Sequence, residues 1–185
     1  MKRSIRATLR VILWTLFALA VAPAAESSTL TLELDHEFSD ATPPAGTPPW
    51  ARAVFDDGDS PGSVLLTLDN FHLTGGEFIT EWYFNFESSA ELLQFDLLQA
   101  FDANDQDVTT LFASHTLDEI ELGEDAFKAD GDGLYDILFR FEQDGADERA
   151  LYTPRFGAGE KAVFQITGDD ITAASFNRFS TPSGG

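Results

Sequence analysis

The chain has no cysteine. That excludes disulfides, thiolate nucleophiles, Cys-ligated zinc, iron–sulfur clusters and a lipid anchor on cysteine. The fold must be held by burial alone, or by burial together with a metal bound through oxygen. Basic residues are also scarce, 11 against 32 acidic ones. Four of the 11 (Lys2, Arg3, Arg6 and Arg10) precede residue 11, whereas every acidic residue lies at Glu26 or later. Without the N-terminal segment, seven basic residues face 32 acidic ones, a net charge of −25. Such a surface repels phosphate backbones and anionic lipid heads, which argues against nucleic-acid binding and peripheral membrane binding. Cations are its natural small partners.

Long apolar runs are few. The one at Val11–Ala22 has 12 residues, follows a basic stretch and precedes Ala22-Pro23-Ala24. A membrane span needs about 20 apolar residues. The segment therefore predicts an export signal cleaved after Ala24, or after Ala25 as second choice. No later run is long enough to span, so the mature chain is expected to be soluble or surface-associated.

What the chain does have is aromatic and alternating. Of 185 residues, 17 are Phe and 43% are hydrophobic, enough for one domain-sized core. Apolar side chains recur at every second position. Leu30, Leu32, Leu34 and Phe38 share one face of Thr29–Phe38. Phe78, Trp82, Phe84 and Phe86 share one face of Glu77–Glu87, against Glu77, Glu81, Asn85 and Glu87. Tyr135, Ile137, Phe139 and Phe141 form a row in Leu134–Glu142. Further strands are predicted at Arg52–Asp56, Val64–Phe71, Leu92–Phe101, Val108–Phe112, Lys161–Thr167 and Ile171–Phe179. A short helical turn is expected within Ser88–Leu93, and Thr42–Pro49 reads as an extended Pro-rich connector. Glycine and aspartate turns separate these runs. The expected fold is all-β: a single antiparallel β-sandwich, jelly-roll-like, over residues 25–179, after a signal peptide at 1–24 and before a disordered tail at 180–185.

Several runs, in order, resemble a family of exported bacterial proteins that end in a PEP-CTERM sorting signal. They are Val64–Leu68, Gly75–Phe86, Ala126–Phe139, Phe156–Gly168 and Ile171–Phe179. The resemblance implies a β-sandwich secreted by a Gram-negative bacterium, often one that makes exopolysaccharide, and no particular activity. The family's C-terminus carries Pro-Glu-Pro, an apolar helix and a basic tail; this sequence stops at Ser183-Gly184-Gly185 without them. It is expected to be either truncated or released without membrane processing, so anchoring and sorting are not carried over.

Two acidic clusters suggest calcium, which takes six to eight oxygen ligands. Asp130, Asp132 and Asp136 lie in a Gly-rich run. Counted as an EF-hand from Asp130, position 5 is Leu134, position 6 is Tyr135 and position 12 is Phe141, so that geometry fails. Asp102, Asn104, Asp105 and Asp107 form the second cluster, with Asp102, Asn104 and Asp105 as its candidate ligands; counted from Asp102, the glycine position is Asp107 and the glutamate position is Ala113. A calcium site of another kind competes with the blander reading of each as an acidic turn or loop tip, which is favoured because Asp-Gly is first of all a turn signal. The expectation is no obligatory cofactor, with Ca²⁺ as a candidate.

Catalytic patterns are wanting. G-x-S-x-G, HExxH, Walker A and GxGxxG are absent. His36, His72 and His115 stand in no nucleophile-elbow context. Glu77 and Glu81 would stand roughly 13 Å apart along a strand, too far for paired glycosidic carboxylates. Trp50 and Tyr83 are candidate sugar platforms, since aromatic faces stack on sugar rings, while Trp82 lies in phase with core residues. The resulting expectation is a non-catalytic exported protein with a structural or interaction role at the cell surface or in an exopolysaccharide matrix. A Ca²⁺-dependent carbohydrate-binding module is the first alternative and a polysaccharide hydrolase the second.

Overall fold

The computed structural model describes residues 27–37, 42–58, 60, 62–129, 133–144 and 153–182. The export segment, Asp130 and Asp132 lie outside the described residues. Alternation dominates the chain, and extended strands follow. They are β1 (Thr29–Leu34), β2 (Ala51–Asp56), β3 (Ser63–Asp69), β4 (Phe78–Ile79), β5 (Glu81–Phe84), β6 (Gln94–Phe101), β7 (Leu117–Ala129), β8 (Gly133–Phe141), β9 (Phe156–Gly157) and β10 (Lys161–Thr167).

All pairings are antiparallel. One sheet has the order β1-β2-β3-β10-β6, the other β5-β8-β7, and β4 pairs with β9 at the margin. From β3 the chain crosses to the small sheet at β5, returns at β6, crosses again for the β7–β8 hairpin and returns at β10. This is the winding expected of a jelly roll, with β1 and β2 added beyond β3.

The core lies between the sheets. Every second residue of β2, β3 and β10 points inward: Ala53, Phe55, Val64, Leu66, Leu68, Ala162, Phe164 and Ile166 are all fully buried. Phe84, Ile137, Phe139 and Phe141 answer from the small sheet. Phenylalanine rings join the layers edge to face, with centroids 5.2 Å apart for Phe55–Phe84 and 5.1 Å for Phe139–Phe164. Burial of each such ring contributes about 1.5–3 kcal/mol, which is how a cysteine-free chain can hold two sheets together.

Five elements differ from the sequence expectation. Val108–Phe112 is not a strand: Thr109–Leu111 and Phe112–Thr116 form consecutive helical turns. Asp107 starts them, accepting from Thr109 N and Thr109 Oγ1 at 2.9 and 2.6 Å. Ile171–Phe179 is not a strand either; a capping box of Thr172 and Ser175 closes a 3-10 turn at Ala173–Phe176. The expected strand Glu77–Glu87 is two pieces, because β4 and β5 pair with different partners. The long β7 was not foreseen: register shifts at Leu117/Glu119 and Leu122/Phe127 break its alternation. Finally, the presumed disordered tail is held at Thr181, which exchanges two hydrogen bonds with Leu134, at 2.8 and 3.2 Å. The helical turn at Ala90–Leu92 falls where it was expected.

Candidate ligand-binding cleft

The carboxylates singled out in the sequence are engaged with backbone. Asp136 sits on β8, 8% exposed. One of its oxygens accepts from Phe86 N at 2.9 Å and the other from Asp125 N at 2.8 Å. It thereby ties the end of β5 to the bulge of β7, where Asp125 takes a left-handed φ of 49°. Asp102 accepts from Asn104 N and Gln106 N at 2.8 and 2.9 Å, closing its own loop, in which Asp105 has φ 58°. Those donors, Gln106 N–H first, hold the Asp102 carboxyl below the usual range. Asp107 is lowered by Thr109, Asp57 chiefly by the Ser28 hydroxyl, and Glu77 chiefly by Ala45 N–H. Among the described residues, no group of three or more His, Asp and Glu stands close enough to hold a metal.

Of the aromatic candidates, Trp50 is 5% exposed and donates Nε1 to Gly46 O at 2.8 Å. Its ring is buried and offers no open face to a sugar. Tyr83 is half-buried, donates its hydroxyl to Glu81 Oε2 at 2.6 Å, and lies 5.5 Å from the Tyr135 ring.

Glu160 shifts the other way. Burial raises its pKa to about 7, against the opposing Gly157 N–H bond at 2.9 Å, and the charge of Asp102 pushes in the same direction as burial. Beneath the same turn, Asn70 is wholly buried and gives Nδ2 to Phe156 O at 3.0 Å.

A cleft of about 520 Å³ opens where the end of β5, the bulge of β7 and the C-terminal segment meet. Asn85, Glu87, Asp125, Asp136, Arg178 and Phe179 line it. Phe176 stacks on Phe55 with centroids 4.4 Å apart, which anchors the turn before Arg178 and Phe179. Ser175 Oγ donates to Glu87 Oε1 at 2.7 Å, and Arg178 Nη2 reaches Glu87 Oε2 at 3.3 Å. Asn85, expected on a wet strand face, is 6% exposed, because β5 ends at Phe84 and the chain turns inward to meet Asp136. Its amide makes no hydrogen bond to another described residue and borders the cleft. Phe179 is fully exposed.

Only Asp136 of this set was a site candidate from sequence. Asn85 looked like an ordinary polar-face residue and Phe179 like the end of a strand. The available signal was a lone amide in the aromatic run TEWYFNFE and an aromatic immediately after a basic residue near the C-terminus.

No protein-family model matches the chain, and no curated protein is found similar to it.

Proposed function

We propose that this chain is an exported, non-catalytic interaction protein that works at the cell surface or in an extracellular polysaccharide matrix. One observation carries the reading. Asp57, Glu77, Asp102, Asp107 and Asp136 each accept two or more hydrogen bonds from nearby N–H or hydroxyl groups. Four of them are thereby kept below the usual carboxyl range, where a carboxylate is a weak base at neutral pH. The acids stiffen loops on a two-sheet scaffold, which suits presentation of a binding surface. Export is supported by the leader-like sequence before Ala24, and the matrix setting by the PEP-CTERM-like runs. Among the described residues, no helix is long and apolar enough to cross a membrane.

A second reading, polysaccharide hydrolysis, is favoured by one pair. Glu160, at about 7, and the ionised Asp102 have their pKa values driven apart, as a general acid and its partner require. The test is to incubate the full chain with the exopolysaccharide of a producing bacterium, then measure co-sedimentation and polymer length. The interaction reading expects co-sedimentation with unchanged length. Shortening that disappears in Glu160→Gln would replace it with the hydrolase. Calcium dependence is read from melting: a specific site must raise Tm at millimolar Ca²⁺ beyond NaCl of equal ionic strength.

A further inference from the structure

We infer that the cleft bordered by Asn85, Arg178 and Phe179 is a binding site for an uncharged saccharide, with the Phe179 ring as its stacking platform. The inference rests on the interaction reading above and names the ligand class of that function. Three observations converge. Phe179 is wholly exposed, although its neighbour Phe176 is buried, so its ring has an open face beside a polar cleft. The Asn85 side chain lines that cleft and makes no hydrogen bond to another described residue, so its amide can turn to a ligand there. Arg178 is held at the rim by Glu87 and keeps other donors free to face outward.

The chemistry selects among ligands. An Asn amide offers both a donor and an acceptor, and a sugar hydroxyl is both as well. Glu87, Glu124, Asp125 and Asp136 add acceptors around the cleft, with Asp136 already satisfied by two backbone amides. Four carboxylates against one guanidinium disfavour uronates, sulfated sugars and phosphorylated ligands. A lysine- or arginine-rich peptide would meet the acids, but it could not satisfy the Arg178 and Asn85 donors through its cationic side chains. An uncharged pyranose can set its C–H face on Phe179 and its hydroxyls against Asn85, Arg178 and the free carboxylates. The Phe55–Phe176 stack anchors the turn that precedes Arg178 and Phe179, and Asp136 ties the chain after β5 to the floor.

The test is isothermal titration of the full chain with neutral tetrasaccharides of glucose, galactose and mannose. Tetragalacturonate and tetralysine serve as comparison probes. At least one neutral tetrasaccharide is expected to bind with millimolar or tighter Kd. Phe179→Ala should weaken that binding at least tenfold with unchanged Tm, since its ring is fully exposed. Arg178→Met should weaken it several-fold. A neutral panel that is blank throughout overturns the inference while leaving the non-catalytic reading in place. So does saccharide binding that Phe179→Ala does not alter. Tetralysine binding lost in Phe179→Ala, without neutral saccharide binding, reassigns the cleft to basic peptides. Chain-length analysis of the bound tetrasaccharide separates the two claims, because cleavage would overturn the non-catalytic reading and leave the saccharide site standing.

Discussion

Asp136 and Glu160 are carboxylates on opposite sides of the same physical balance. Asp136 gains two backbone N–H donors in exchange for its burial. Asp136→Asn replaces one acceptor oxygen with an NH₂ group facing an N–H donor. The expected cost is about 2–3 kcal/mol, measured by urea unfolding at pH 7. Glu160 has a folded pKa near 7, above the usual carboxyl value. The folded state therefore binds that proton more tightly than the unfolded chain. The associated stability is full below the unfolded pKa and is lost as pH rises to about 7. Glu160→Gln keeps an acceptor for Gly157 N–H and removes the buried charge. Its melting temperature should match the parent at pH 4.5 and exceed it at pH 8, by roughly 1–3 kcal/mol in stability after allowance for solvent screening. Equal Tm differences at both pH values would contradict this. Neither residue's environment can be deduced locally. Asp136 read as a calcium candidate because its neighbours in sequence are acidic, whereas the donors it meets are 50 and 11 residues away.

At the scale of elements, β8 and the C-terminal segment depend on each other. Gly133 has φ 107° and starts β8; a Cβ there would stand 2.7 Å from both Ser180 Oγ and Thr181 O. Gly133→Ala must strain the backbone and push the segment away from Leu134. A loss of about 2–4 kcal/mol is expected in denaturant unfolding. Proteolysis beyond Phe176 should accelerate, and the cleft should lose its Phe179 wall. Strands β1, β2, β3 and β10 were legible because each keeps an uninterrupted period of two over at least six residues, and β8 because Tyr135, Ile137, Phe139 and Phe141 form an apolar row. The helical turns at Thr109–Thr116 and Ala173–Phe176 were not, because local hydrogen bonds of Asp107 with Thr109 and of Thr172 with Ser175 outweighed short apolar runs that fit either geometry. Strand β7 was hidden by its bulges, which place two successive residues on one side and erase alternation.

For the whole molecule, net charge sets the response to solution conditions. At −21 the folded chain repels itself above pH 7, most strongly where the sheets are compact. Raising NaCl from 10 to 500 mM at pH 8 should increase Tm by several degrees as screening shortens from about 30 Å to a few Å. The same salt change at pH 4.5, near the calculated pI of 4.1, should have little effect. At still lower pH, Asp57, Glu77, Asp102 and Asp107 act in the usual direction. Their folded pKa values are depressed, so the stability they supply is present above the unfolded values and is lost as pH falls through the folded ones. Together with Glu160, whose contribution is lost between about 4.5 and 7, they place maximum stability near pH 4.5, which a pH series of melting curves tests directly.

The amino-acid sequence by itself determined that this is a β protein with a phenylalanine-rich core and an acidic surface. Those properties follow from composition and from nearest-neighbour periodicity, which each short segment carries on its own. Only the tertiary structure decided which acids are fastened to backbone amides, where alternation gives way to bulges and turns, and that Asn85, Arg178 and Phe179 meet at one cleft. These are matters of contact between residues far apart in the chain. Their partners become known only when the sheets close over the core and bring the C-terminal segment back against β8.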